Sequence, residues 1–146
     1  TKDRQTTFFD EEEVVHTPMA EPFCPRILKE LQSTATELNI TYHDKKTVIT
    51  IEGPRFSTKS ESHMFRLWNA DIINMSTCPE VMLARELKMH YATIAMATDF
   101  DSWKEDQESV SWDLINETFK NNAFNVTKLL LNVIPKINNW EDVCLS

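Results

Sequence analysis

Two carboxylates two residues apart, Asp99 and Asp101, are the sharpest chemical feature of the sequence. In an extended segment both side chains would point to the same face. Like charges at close range raise one pKa, and partial burial adds to that rise. A carboxyl kept protonated near neutrality can donate a proton to a leaving group or hold one at a basic ring nitrogen. The competing reading is a turn, or a helix cap, built from the same two residues. Phe56 and Met75 stand at the ends of apolar runs, where the plainer role is core packing. Ser76 precedes a helix signal and would suit either a cap or an anion such as phosphate. Arg55 and Arg66 could also meet anions, although solvated salt bridges explain each more simply. His16, His43, His63 and His90 show no metal-ligand spacing and no nucleophile partner.

Composition excludes several chemistries. The chain has 146 residues, a formal charge of −8 and a single glycine. About ten glycines would be usual at this length. Gly-rich phosphate-cradling loops and nucleophile elbows cannot be written with one glycine. The negative charge argues against nucleic acid or an anionic membrane surface as the main partner. Cys24, Cys78 and Cys144 are odd in number and contain no CxxC, so zinc ribbons and disulfide frameworks are not expected and a reducing compartment is. No apolar run approaches a membrane span. The first residue is Thr1 rather than Met, which with the missing glycines points to part of a longer chain. Four glycosylation sequons, at Asn39, Asn74, Asn116 and Asn125, are read as chance.

The elements that must position these residues follow from periodicity. Residues 1–16 read as a flexible lead-in or cut loop, and three prolines make 17–25 extended or turned. Pro25 opens a helix to about Leu38, with Ile27, Leu28, Leu31, Ala35 and Leu38 on one face. Residues 40–52 alternate and predict two strands joined at Asp44-Lys45-Lys46. Thr58-x-x-Glu61 is a capping box that starts a second helix. Residues 71–75 read as a buried strand, 77–88 as a helix and 91–97 as another strand. That order predicts a βαβ unit with the last two strands parallel and a right-handed crossover. A long helix spans about 111–134, its stripe Ile115, Phe119, Ala123, Val126, Leu130 and Val133 facing the core and Pro135 ending it. The class is α/β.

Ligands in open α/β sheets bind beyond the carboxyl ends of the strands. That rule gathers Gly53-Pro54-Arg55-Phe56, Met75-Ser76 and Thr98-Asp99-Phe100-Asp101 into one crevice.

The same segments carry a resemblance. Pro18-Met-Ala-Glu-Pro-Phe-Cys-Pro25, Val48-Ile-Thr-Ile-Glu-Gly-Pro-Arg-Phe-Ser57, Ala70-Asp-Ile-Ile-Asn-Met-Ser-Thr-Cys-Pro-Glu80 and Ile94-Ala-Met-Ala-Thr-Asp-Phe-Asp101 resemble the C-terminal half of the methylthioadenosine phosphorylases, within the trimeric purine nucleoside phosphorylase family. The likeness runs from about residue 17 to 140. It implies one domain, of which 17–146 is the C-terminal half, with a mixed twisted sheet flanked by helices. The activity implied is reversible phosphorolysis of 5′-methylthioadenosine to adenine and 5-methylthioribose 1-phosphate. Inorganic phosphate would be the co-substrate, with no metal or organic cofactor.

By position, Phe56 would pack on the purine, and Ile73 and Met75 would line the ribose. Ser76 would contact phosphate, where the family usually has Thr. Asp99 would serve purine N7 and Asp101 the 6-amino edge, with Phe100 and Val110 also lining the substrate. An Asp at 99 favours adenine, because phosphorylases for 6-oxopurines typically place Asn there. Ser57 and Trp112 match positions that shape specificity, and Trp112 replaces a small aliphatic residue. The resemblance further implies a homotrimer in the cytoplasm, with the nucleus as a second location. The remaining half, with its Gly-rich phosphate loop, would lie upstream of Thr1. The portion present would then be inactive alone, and the glycine shortage would mark the missing half.

Overall fold

The computed structural model of the chain describes residues 3–9, 14–104, 112–138, 140 and 144, with side chains in the last helix from 116 onward. Its elements run α1 (Pro25–Glu37), β1 (Val48–Thr50), α2 (Lys59–Leu67), β2 (Ile72–Asn74), α3 (Thr77–Glu86) and α4 (Trp112–Ile137). The α/β class holds.

The helices form where the sequence signals place them. Pro25 begins α1 at a position where its missing N–H costs nothing. In α2 the Thr58 hydroxyl accepts from the Glu61 N–H while the Glu61 carboxylate accepts from the Thr58 N–H, closing the predicted capping box. Within α3, Cys78 keeps extended dihedrals, so regular helix begins only at Pro79.

All three of these helices end in the same way without glycine. Asn39, Asn69 and Lys88 adopt left-handed φ of 54°, 58° and 53°. At each end two N–H groups turn back onto the last helical turn: Ile40 to Ala35 and Asn39 to Thr36, Ala70 to Phe65 and Asn69 to Arg66, Met89 to Ala84 and Lys88 to Arg85. These are Schellman closures, which satisfy carbonyls the helix would otherwise leave unpaired.

The sheet differs from the sequence expectation. Among the described residues the ladder is β1 with β2, parallel, Ile49 facing Ile73 and Thr50 facing Asn74. The parallel βαβ unit is therefore β1–α2–β2 rather than 71–75 with 91–97. Residues 91–97 carry no ladder among the described residues. The segment is held instead by Cys24, whose N–H donates to the Tyr91 carbonyl at 2.8 Å, and by Ile94 packing on the core. The strand expected at 40–43 is also absent, because the Ile40 N–H is spent closing α1 and its side chain joins the core.

That core lies between α1 and α4, with Ala35, Leu129 and Val133 buried and Leu31, Leu38, Ile40, Ile94 and Ile137 against them. Its α4 stripe runs through Leu129 and Val133, whereas Phe119 and Leu130, expected inside, are exposed. Ile115 lies among the side chains outside the description. Pro135 does not end α4, which continues to Ile137. The turn after the proline is held by Lys136, whose ammonium donates to the buried Thr34 hydroxyl at 2.8 Å and to the Glu37 carboxylate at 2.9 Å. Those contacts and the packing of Ile137 offset the single backbone bond that a proline forfeits.

Candidate functional site

Because β1 and β2 are parallel and in register, their carboxyl ends deliver residues 51–57 and 75–77 to the same end of the molecule. Three side chains lock that end. The Thr50 hydroxyl donates to Asn74 Oδ1 at 3.1 Å, and Asn74 Nδ2 donates to Thr77 Oγ1 at 2.6 Å. The Cys78 N–H returns to the Thr50 hydroxyl at 3.3 Å. The guanidinium of Arg4 donates to the carbonyls of Met75 and Cys78 at 3.0 and 2.6 Å, holding the β2–α3 turn from outside.

The third segment docks on α2. The Ser57 hydroxyl donates to Asp101 Oδ1 at 2.5 Å across 44 residues of sequence. The Ser102 hydroxyl donates to the Ser57 carbonyl at 3.4 Å, and the Trp103 N–H donates to the buried Ser62 hydroxyl at 3.2 Å. From the other side, Asn122 of α4 donates to the Ala97 carbonyl at 2.8 Å. So the loop carrying both carboxylates is pinned to α2 and α4.

The two carboxylates end in different surroundings. Asp101 is half-buried, and its second oxygen, Oδ2, is shielded from solvent with no hydrogen-bond partner among the described residues. Asp99 is exposed, and its Oδ1 accepts from the Thr98 hydroxyl at 2.6 Å. The chain bends at Asp99, so the alternation of an extended segment does not carry through to Asp101. A shielded carboxylate oxygen without a donor is costly unless something supplies an N–H or O–H. That makes Asp101 Oδ2 an acceptor in waiting.

The other expected residues differ in exposure. Phe56 presents its ring outward at 78% exposure, directly before Ser57. Ile73 and Met75 are half-buried on and after β2. Ser76 is exposed; its N–H leans on Asn74 Oδ1 at 3.4 Å, and its side chain does not cap α3. Phe100 meets Trp103 edge-on, with the Lys104 ammonium 3.7 Å over its ring. Val110 and the Trp112 side chain lie outside the described residues.

The arginines are accounted for elsewhere. Arg55 forms a two-pronged pair with Glu61 at 2.6 and 2.7 Å, which holds the Glu61 carboxyl down at about 2. Arg66 lies 3.8 Å over the Trp103 ring, with no ion pair to a carboxylate among the described residues. Sequence reasoning missed Asn74 and Arg4 as positioning residues. Asn74 carried only a glycosylation pattern, and nothing in the spacing of Arg4 connects it to Met75.

The site thus consists of a parallel α/β strand pair with an aromatic and a hydroxyl beyond its carboxyl ends, and an acidic acceptor docked against Ser57. The chain belongs to the phosphorylase superfamily, whose family model matches residues 1–135. It is 53% identical to the S-methyl-5′-thioadenosine phosphorylase of Xenopus tropicalis, over all of this chain and 54% of that protein. A crystal structure of a methylthioadenosine phosphorylase from an antarctic soil metagenomic library matches 99% of this chain and 51% of that one, with a TM-score of 0.88 and 37% identity. A variant of the Schistosoma mansoni adenosine/methylthioadenosine phosphorylase in complex with methylthioadenosine matches 97% of this chain and 55% of that one, with a TM-score of 0.84 and 34% identity. The chain spans about half the length of the curated relatives it matches.

Proposed function

We propose that the chain forms the purine and ribose side of a methylthioadenosine phosphorylase, which cleaves 5′-methylthioadenosine with inorganic phosphate to adenine and 5-methylthioribose 1-phosphate. The observation that carries this reading is Asp101: Ser57 fixes one oxygen, and the other is shielded with no hydrogen-bond partner among the described residues. A carboxylate oxygen is an acceptor only, which suits the 6-amino group of adenine and repels the carbonyl of a 6-oxopurine.

Cleavage of the glycosidic bond leaves electrons on the purine and positive charge on the sugar. Asp99, one bend away, is the group to hold a proton at purine N7 and so relieve the first charge. Phosphate attacking the sugar meets the second. Phe56 offers a face for the base, Ile73 and Met75 line the ribose, and the exposed Ser76 hydroxyl is the contact for phosphate. Phe100 and Val110 complete the substrate lining, and Ser57 and Trp112 set selectivity. No metal or organic cofactor takes part in these steps.

An upstream portion of the same enzyme and a homotrimeric assembly are the partners of this reading. Leu67, Trp68, Phe124 and Leu131, between 61% and 82% exposed, are the kind of apolar surface such neighbours would cover. The three free cysteines suit the reducing cytoplasm, and the nucleus with it.

The test is phosphate-dependent release of the purine base, adenine or hypoxanthine, by the chain alone and mixed with the upstream half of a curated relative. Methylthioadenosine should be cleaved by the mixture, faster than adenosine and far faster than inosine. A preference for inosine would replace this reading with a broader purine nucleoside phosphorylase. A folded complex without activity would leave a noncatalytic, nucleoside-binding or oligomerising piece.

A further inference from the structure

Far along the sequence from one another, Cys24, His90 and Cys144 converge in the fold. One ligand atom from each lies within 4.8 Å of the others. Both cysteines are buried, at 1% and 5% exposure, and His90 is half-buried. The Cys24 sulfur stands 3.0 Å from His90 Nδ1. Main-chain bonds fix the cysteines around the histidine: the Cys24 N–H donates to the Tyr91 carbonyl at 2.8 Å and the Cys144 N–H to the Lys88 carbonyl at 2.9 Å. The ring of His90 meets Trp140 edge-on at 5.4 Å, and Arg26 lies 4.0 Å over that Trp ring.

We propose that Cys24, His90 and Cys144 form a binding site for a soft, tetrahedral-preferring cation of the zinc class. Two sulfurs and an imidazole nitrogen are the donor set that such ions prefer over magnesium or calcium, which take oxygen. Spacings of 3.0 to 4.8 Å between donors bracket those around a single four-coordinate ion, with the fourth place left to water or a small ligand. Two thiolates balance a divalent charge in the buried space, their protons leaving to solvent as the ion enters. Arg85 aims an N–H at the Cys144 sulfur from 3.9 Å, the outer contact that steadies a thiolate ligand. The ion would join the segment before α1, the segment after α3 and residue 144. It would thus fasten the C-terminal end of the chain to the body without entering the strand-end face.

The chain, kept reduced with a phosphine and stripped by a chelator, is titrated with Co²⁺ and then with Zn²⁺. The expected result is thiolate-to-cobalt charge-transfer absorption and strong tetrahedral d–d bands, saturating at one equivalent and displaced by zinc. Cys24→Ser and Cys144→Ser should each weaken binding by at least about tenfold. Cys78→Ser, which removes the exposed cysteine, should bind like the parent. Zinc should raise the Tm of the parent and of Cys78→Ser only. Should a serine variant fail to fold, mass-mapped alkylation of the parent replaces it: zinc should protect Cys24 and Cys144 and leave Cys78 reactive. Absence of cobalt–thiolate bands in the folded, reduced chain overturns the proposal. So do bands that survive both serine substitutions, or zinc protection that does not distinguish the three cysteines.

Discussion

The strand-end face and the Cys24–His90–Cys144 cluster lie at opposite ends of one stretch of chain, residues 89–101, and they are built by opposite means. At the face, side chains hold side chains: Ser57 on Asp101, Thr98 on Asp99, Asn74 between Thr50 and Thr77. Phe56 and Asp99 are left exposed, and one Asp101 oxygen has no donor among the described residues. At the cluster, main-chain bonds position the two cysteines, which are buried, while His90 is half-buried. An open face with unmet polar demand is fit to receive a ligand and contributes little to stability. A main-chain-anchored cluster with buried cysteines should instead contribute to stability, so the two regions should separate cleanly in experiment.

The largest expected effect is at the face. Asp99→Asn, assayed with the upstream half supplied, should slow cleavage of adenine nucleosides by about 10²- to 10⁴-fold, the usual worth of a positioned acid. Relative preference should shift toward 6-oxopurines, and the Tm should stay put, since Asp99 is exposed and bonds only Thr98 among the contacts described. Steady-state rates with methylthioadenosine and inosine, beside a thermal melt, check both halves of the expectation. Unchanged kinetics on both substrates would remove Asp99 from the chemistry.

The second effect is the converse. Val133→Ala empties space in the α1–α4 core, where Val133 is 2% exposed. It should cost about 2 kcal/mol of stability by urea unfolding. The KM for methylthioadenosine should be unchanged, because the core meets the loop of the face, among the described residues, through the segment that Ile94 and Asn122 anchor. A large KM change with an unchanged unfolding midpoint would break the division between the regions.

The face was legible in the sequence because short contiguous runs build it. A strand followed by a tight turn puts successive residues at one end of a parallel pair, so the strand-end rule places Phe56, Met75 and Ser76 at one end, whereas Asp101 arrives through a loop docked on Ser57 and not from a strand. The capping box at Thr58 and Glu61 was legible for the same local reason. Pairing was not. Residues 91–97 have the apolar, β-rich composition of a strand, but composition says nothing about which edge is available. Ile40 likewise looks like strand and is used to close a helix. The cluster was invisible: its members are separated by 66 and then 54 positions, and no ligand spacing exists to be read. The lone glycine misled in part. Helix ends that ordinarily use glycine use Asn39, Asn69 and Lys88 here, so part of the shortage is a local choice of capping residue.

Between the regions lies the α2 start, which belongs partly to each. Thr58→Ala removes the helix cap and should cost about 1 kcal/mol. It should also raise the KM modestly, since Thr58 follows the Ser57 that holds Asp101. The Glu61 partner adds a pH signature. Its folded pKa is depressed to about 2 from 4.5, chiefly by the Arg55 hydrogen bond. The stabilisation is therefore fully present above the unfolded value and disappears as pH falls toward 2. The Tm gap between the parent and Glu61→Gln should close across that window in melts from pH 6 downward. A gap that is constant with pH would mean the Glu61 contribution is not electrostatic.

The smallest effect sharpens the comparison on the cluster side. Lys88 sits in the left-handed region at φ 53° just after α3, and its carbonyl receives the Cys144 N–H. A side chain bearing a Cβ costs about 1 kcal/mol there, whereas glycine pays nothing in the fold but loses more freedom on folding. Lys88→Gly should therefore gain a few tenths of a kcal/mol, up to about 1, in urea unfolding, with the m-value unchanged. Asn69→Gly should gain less, because Asn tolerates the same conformation better than Lys. Neither should alter the rate of methylthioadenosine cleavage, since both act at helix ends away from Asp99 and Asp101. If Lys88→Gly instead destabilised the chain, the lysine side chain itself would be contributing at the cluster, and the backbone could not be the sole scaffold there.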